Sequence, residues 1–293
     1  MEKIKEFELY LTIDKSYSKN TISSYLNNIS IFFKFCNTIN ITPFVAEYVD
    51  LTEYLNYLKE NKNYSSRSLN SMIATLKCYY KFLYLEKYIK NNPTNLLDSP
   101  KIKKTLPEYL TNDEVNKFIS SIDISTDIGR RDDLLIRLLY DSGARVSELL
   151  NIKINDIDFE KRTIKLLGKG NKERLILFTN ETKKILIDYI YYIYNKFEIK
   201  NNYLFSNKKG VVLGRVEVYN IIRKYCEIAG ITKHVTPHTF RHSLATHMIQ
   251  NDADILTVKT ILGHSKVSTT QIYTHLNKKD LKAKYDAIKE RED

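Results

Sequence analysis

The sequence predicts a mainly α-helical protein of two domains, with one small patch of strands in the second. Glycine and proline are scarce, 8 and 5 in 293 residues, which favours long helices over a turn-rich all-β fold. Apolar residues recur at turn spacing along most of the chain, whereas short alternation is concentrated in residues 156–178. Residues 99–107 read Ser-Pro-Lys-Ile-Lys-Lys-Thr-Leu-Pro, a polar, basic stretch bounded by prolines that suits a linker. The expected division is a first domain over 1–100, a linker over 101–107 and a second domain over 108–293.

In the first domain Ile4, Phe7 and Leu11 open a helical pattern that runs to about Asn37. Ser18-Lys19-Asn20-Thr21 offers caps before Ile22, Tyr25, Leu26, Ile29, Phe32 and Phe33. A third helix over 52–59 turns Leu55 and Leu58 inward. A fourth, from Ser66 to about Lys87, carries the stripe Leu69, Ile73, Leu76, Tyr80 and Leu83. Its opposite face shows Arg67, Asn70, Ser71, Lys77 and Lys81. Such a face suits a phosphate backbone, but the periodicity alone favours an ordinary solvated surface. Asn91-Asn92-Pro93 ends this region, since proline cannot continue a helix. The linker lysines, Lys103 and Lys104 among them, could cross such a phosphate backbone as a strap.

The second domain opens at Thr111, followed three residues later by Glu114, the pattern of a capping box. A helix over 131–140 is broken at Ser142-Gly143, and Arg145 begins the next. An arginine there can present its fork beside free backbone N–H groups, although a surface arginine at a helix end is common. Strands are expected at 156–159, 163–167 and 174–178, with Gly168-Lys169-Gly170-Asn171-Lys172 as the turn between the last two. This is no P-loop: the Gly-x4-Gly-Lys-Ser/Thr spacing is missing and no Ser or Thr follows. Helices over 181–197 and 215–229 come next.

Hydrophobic residues at 43% and charged ones at 28% are ordinary for a soluble globular protein. No apolar run reaches membrane-spanning length, and Met1 to Glu6 lack a signal peptide's apolar region, so a cytoplasmic protein is expected, with no membrane contact. Cys36, Cys78 and Cys226 are isolated and odd in number, which suits reduced thiols. None has metal-ligand spacing, and neither a metal nor a cofactor is expected. The net charge of +11 is uneven: 12 Lys+Arg face 10 Asp+Glu in residues 1–100, leaving 34 against 25 in 101–293. A surplus of that size suggests a polyanionic partner, nucleic acid first, while solubility alone also explains basic surfaces.

The chemistry concentrates in residues 236–275. All six histidines fall between His234 and His275. Pro237 suits the first turn of a helix, with Thr236 as its cap, and puts His238 and Arg241 three residues apart on one face. A guanidinium beside an imidazole is a natural phosphate receptor. Tyr273 follows His264 by nine residues. A phenol is a poor nucleophile unless its target's charge is well neutralised, and a structural His–Arg pair is the commoner meaning of an arbitrary His-x-x-Arg.

Taken together, His238-x-x-Arg241, Leu262-Gly263-His264-Ser265 and Thr269-Thr270-Gln271-Ile272-Tyr273-Thr274-His275 resemble the signature of the tyrosine recombinases, nearest to the Xer-type chromosome-dimer resolvases. Ser142-Gly143-Ala144-Arg145-Val146-Ser147-Glu148-Leu149 resembles the segment that carries their first catalytic arginine. The resemblance spans the chain, dense from Tyr140 to His275 and weaker over 1–100. It implies a helical, SAM-like core-binding domain and a mostly helical catalytic domain with a small three-stranded antiparallel sheet. It also implies six catalytic residues: Arg145, Lys169, His238, Arg241, His264 and Tyr273. In that scheme the two arginines and His264 neutralise the scissile phosphate in place of a metal. Tyr273 attacks to form a 3′-phosphotyrosyl bond, Lys169 protonates the leaving 5′-oxygen, and His238 accepts the tyrosine's proton. Two rounds exchange strands through a four-way junction.

The implied partner is a double-stranded recombination site, held by a homo- or hetero-tetramer whose C-terminal tails dock between subunits. Asn277 can cap a tail helix in which Leu281, Tyr285 and Ile288 form a narrow stripe. Folding back on its own chain is the simpler fate of such a stripe. Two rival readings are a non-catalytic DNA-binding protein, expected to lose one of the six residues, and a zinc hydrolase using His238 and His242. In the latter, Thr239 stands where the catalytic Glu would be and no acidic third ligand is near. Between chromosome resolution and mobile-element integration, the simple Xer type is expected, without the N-terminal arm-binding domain typical of many phage integrases. The DNA site, and whether a paralogue takes part, stay open.

Overall fold

The computed structural model describes residues 2–101, 108–168, 173–197, 201–207, 209–262 and 285–286. The chain divides into two compact units, Met1–Thr105 and Leu106–Asp293.

The first unit is four helices: α1 (Glu2–Thr12), α2 (Lys19–Thr38), α3 (Tyr48–Glu60) and α4 (Ser66–Leu85). Ser18 caps α2 by accepting from the Thr21 N–H, and Ser65 caps α4 through the Ser68 N–H. Helix α3 begins four residues before the expected start. The Asp50 carboxylate accepts from the Glu47 N–H (2.7 Å), and the first turn leaves Tyr48 and Val49 exposed. The cap therefore lies ahead of the buried stripe on which the prediction rested. The core is aromatic: Phe7 meets Tyr79 edge-on at 5.1 Å, and Phe32 lies 5.0 Å from Tyr54. Two of the buried phenols, those of Tyr80 and Tyr54, donate to the Pro43 carbonyl (2.8 Å) and to Met72 Sδ (3.5 Å), while the buried Tyr10 and Tyr79 hydroxyls have no hydrogen-bond partner among the described residues.

The second unit begins with α5 (Asn112–Ser120), capped as predicted by Thr111 and Glu114. Helix α6 (Asp127–Ser142) starts earlier than expected, because Thr126 Oγ1 accepts from the Gly129 N–H (3.0 Å). A short α7 (Val146–Leu149) follows, then a 3₁₀ turn, Ile154–Asp156. That turn takes up the start of the first predicted strand, leaving β1 as Ile157–Asp158. Strands β2 (Thr163–Leu167) and β3 (Glu173–Leu177) complete an antiparallel sheet in the order β1-β2-β3, with Thr163 opposite Leu177 and Leu167 opposite Glu173. Ile164, Leu166 and Ile176 turn inward. Helices α8 (Asn180–Phe197), α9 (Arg215–Ile228), α10 (Pro237–Gln250) and α11 (Ile255–Leu262) follow. The last of these is absent from the sequence-based expectations. Helix α6 is central and packs on both α8 and α10, burying Leu134, Leu135, Leu138 and Leu139. Among the described residues no helix is long and apolar enough to cross a membrane.

Two buried polar contacts tie distant segments to the end of α6. Asp141 Oδ2 accepts from the Thr179 N–H and from the Thr179 and Thr182 hydroxyls, so α6 caps the start of α8. Tyr285 is 1% exposed and its hydroxyl donates to the Asp141 carbonyl (3.1 Å). Beside it, both terminal nitrogens of the buried Arg162 hold Asp286. Two residues of the predicted tail stripe region thus sit against their own chain.

Removing the Asp141 carboxylate would take the acceptor from the Thr179 N–H and the Thr182 hydroxyl, and one of two acceptors from the Thr179 hydroxyl. Asp141→Ala is expected to lower unfolding stability by roughly 2–3 kcal/mol, read from urea denaturation. An unchanged midpoint would show that those donors find other acceptors.

Candidate active site

The site is built on the break after α6. Gly143 closes that helix in the left-handed region (φ 55°), its N–H donating to the Leu139 carbonyl (3.1 Å). A side chain there would also meet the Leu262 side chain at 2.6 Å and that of Leu244 at 3.1 Å. Glycine is required both by the turn and by the close approach of α10 and α11. Two residues on, Arg145 stands at the N-cap of α7. Its N–H donates to Glu148 Oε2 and its guanidinium to Oε1, both at 2.9 Å. Glu148 is buried and also accepts from Arg174 of β3 (2.8 Å), whose other terminal nitrogen donates to the Ile261 carbonyl (3.2 Å).

Helix α10 supplies the second arginine. Thr236 caps it by accepting from the Thr239 N–H, while Thr239 Oγ1 accepts from the Thr236 N–H, and Pro237 occupies the first turn. Arg241 is 8% exposed and donates to the carbonyls of Gly143 and of Leu262 (2.6 Å). It therefore joins the break after α6 to the end of α11. His238, one turn earlier, is exposed.

The electrostatics favour an anion. Burial pushes the Arg241 guanidinium down to about 10, and Arg174 and Arg145 push the same way, with Glu148 opposing. Burial alone would raise the Glu148 carboxyl. The charge and hydrogen bond of Arg174, with donors from Arg145, outweigh burial and hold it below its ordinary value. Two guanidiniums thus share the Glu148 carboxylate and a third, that of Arg241, lies within its field, a positive surplus. Arg145 is the open member, its side chain 41% exposed against 10% for Arg174. A phosphate presented there would meet preorganised donors.

Of the six residues expected at the site, Arg145 and Arg241 converge on the Gly143 turn, and His238 stands on the same helix as Arg241. Lys169, His264 and Tyr273 lie outside the described residues, as do Lys103 and Lys104. On α4, Arg67 and Lys77 are exposed. Asn70 is half-buried and its amide donates to the Pro100 carbonyl (3.0 Å), a structural use of that group. Glu148 and Arg174 were not among the expected site residues. Glu148 carried a usable signal, three residues past Arg145 in capping-box spacing. Arg174 had none, because its carboxylate partner is 26 residues away.

Comparison with known proteins agrees with this architecture. Residues 108–280 match the model of the phage integrase family, and residues 4–87 that of its N-terminal SAM-like domain. The chain belongs to the phage integrase family. Tyrosine recombinase XerC of Anoxybacillus flavithermus is 38% identical over 281 residues, 94% of this chain and 93% of that one. Tyrosine recombinase XerD of Staphylococcus haemolyticus is 34% identical over 288 residues, 97% of each. Among solved structures, XerH site-specific recombinase in a pre-cleavage complex with its difH substrate has a TM-score of 0.67 and 26% identity, covering 89% of this chain and 79% of that one. The protein is a tyrosine recombinase, an enzyme that breaks and rejoins DNA strands.

The recombinase's dependence on Gly143 is testable. Gly143→Ala demands a left-handed alanine and displaces Leu262, so stability should fall by more than about 1 kcal/mol. DNA cleavage should fall further than stability explains, because Arg241 loses its carbonyl register. Thermal unfolding and cleavage at a temperature where the variant is folded measure the two separately; normal cleavage by the folded variant would detach Arg241 from this turn.

Proposed function

We propose that this recombinase is of the Xer kind, acting at a specific duplex site to resolve chromosome dimers. The observation that carries the reading is the convergence of Arg145 and Arg241 on one turn with positive charge in excess. Likeness to XerC and XerD chains over nearly their whole length supports it.

In the proposed reaction Arg145 and Arg241 bind the non-bridging oxygens of the scissile phosphate, and His264 adds a third donor. The Tyr273 oxygen attacks phosphorus and its proton passes to His238. The bond from phosphorus to the 5′-oxygen breaks, and Lys169 protonates the departing oxygen. The product is a 3′-phosphotyrosyl bond and a free 5′-hydroxyl. Attack by the 5′-hydroxyl of a second strand releases Tyr273, so bond energy is conserved and no nucleotide is consumed. Exposed Arg67 and Lys77, with linker lysines Lys103 and Lys104, are assigned to the sugar-phosphate backbone. Four copies hold two duplexes, and the tail of each docks on its neighbour. The groove that receives Tyr285 and Asp286 within one chain is a receptor of suitable chemistry for that exchange.

Tyr273→Phe is expected to bind its site normally and to form no covalent complex with a nicked suicide duplex, read as a denaturant-resistant shifted band. A band of undiminished yield would remove Tyr273 from the role of nucleophile.

The tail is tested by deleting residues 281–293 and, more gently, by Asp286→Ala. Both should leave binding to a single half-site nearly intact while weakening cooperative filling of full sites and strand exchange, the deletion more than the substitution. Gel-shift titration on half and full sites, followed by a junction assay, reads this. Normal cooperativity from the truncated chain would make the tail a local cap.

A further inference from the structure

Arg174 has no part in the reaction as assigned, yet it is built into the phosphate site. Its side chain is 10% exposed, one terminal nitrogen is committed to Glu148 and the other to the Ile261 carbonyl. Among the described residues its buried Nε has no hydrogen-bond partner. A desolvated guanidinium with an idle donor is a poor device for stability, since an apolar side chain often serves a buried pair's place as well or better. Nor is it the group that reaches the substrate, because Arg145 is the more open of the two.

The geometry of Glu148 shows what Arg174 does. Oε1 accepts from the Arg145 guanidinium, while Oε2 is shared between the Arg145 N–H and Arg174. Each carboxylate oxygen is thereby occupied, and Glu148 holds the Arg145 fork through one oxygen only. Without Arg174, Oε2 keeps only a backbone N–H and is free to turn onto the Arg145 fork. A two-oxygen pair with carboxylate is the favoured geometry of a guanidinium, and it would take up the donors that a phosphate needs. Arg174 also holds the Ile261 carbonyl, next to the Leu262 carbonyl that Arg241 holds. One side chain therefore sets the surroundings of both arginines.

We infer that Arg174 is a positioning residue of the recombinase: it restrains Glu148, so that Arg145 keeps its donors free for the scissile phosphate, and it fixes the end of α11 against β3. The inference rests on the recombinase reading of the site. It goes beyond that reading in giving function to a residue that the proposed reaction does not use.

The test compares full-length wild type, Arg174→Met, Arg174→Lys, and Arg174→Met combined with Glu148→Gln. Single-turnover cleavage is followed on two suicide duplexes, one with a normal scissile phosphate and one with a methylphosphonate there. The methylphosphonate lacks one of the charged oxygens that Arg145 would neutralise. Arg174→Met should bind site DNA within a few-fold of wild type and cleave the phosphodiester about 10²-fold more slowly, the scale of one lost preorganised donor. On the methylphosphonate the loss should shrink to less than about 10-fold by the same reasoning. Adding Glu148→Gln to Arg174→Met should recover part of the rate, because it removes the carboxylate that captures Arg145. Arg174→Lys, a single point charge that cannot hold both acceptors, should fall between. An equal loss on both duplexes, or no recovery from the second substitution, would make Arg174 merely structural and overturn the inference. An unimpaired Arg174→Met would overturn it too. If wild type itself forms no covalent adduct with DNA, the recombinase reading fails and takes this inference with it.

Discussion

The catalytic unit depends on one buried guanidinium. Arg241 enters the core from α10, and among the described residues its hydrogen bonds go to two main-chain carbonyls and to no carboxylate. Those carbonyls belong to Gly143, at the break after α6, and to Leu262, at the last turn of α11. Helix ends leave carbonyls without partners, and a planar fork suits two of them at once. The arrangement satisfies the backbone but leaves the charge of Arg241 unneutralised by direct contact. That charge is then available to an incoming anion.

Two buried acids of α6 show the opposite arrangement. Asp132 pairs with Arg131 (2.7 Å) and Asp133 with Arg137 (2.9 Å), each acid with an arginine of its own helix. Burial pushes both carboxyls up, with the arginine in each case pulling the other way. A carboxyl whose folded-state value is raised contributes stability below its unfolded-state value and loses it as pH rises through the folded one. These two acids therefore oppose folding at neutral pH. Glu148, held below its ordinary value, does the reverse: its contribution is present at neutral pH and is lost on acidification through its depressed value. Locally matched pairs and one deliberately unmatched cluster thus coexist within a few turns of helix.

Most of the fold was legible because its signals are local. Ser18, Thr111 and Thr236 each mark a helix start within three residues of the group they cap. The starts of α3 and α6 were misplaced because the caps at Glu47 and Thr126 precede the buried stripe that periodicity detects. Helix α11 was missed although Asp254 accepts from the Thr257 N–H (2.8 Å), a readable cap ahead of a short apolar run. At the site, Arg145 and Arg241 were read from motif resemblance rather than from periodicity, which gives no hint that one is open and the other buried. Arg174 was not legible at all. Its role needs the pairing of β3 with β2 and the approach of α11, and no short window contains either.

The two-carbonyl grip of Arg241 works as a ruler. Packing of side chains sets distances loosely, since a core can shift by fractions of an ångström as its volumes change. A guanidinium is a rigid plane of fixed dimensions, so the gap between the Gly143 and Leu262 carbonyls is set by covalent geometry. The two carbonyls lie 119 residues apart in the chain, yet one side chain holds them at a fixed span. Lysine, with one nitrogen on a flexible stem, would keep the charge and lose the measure.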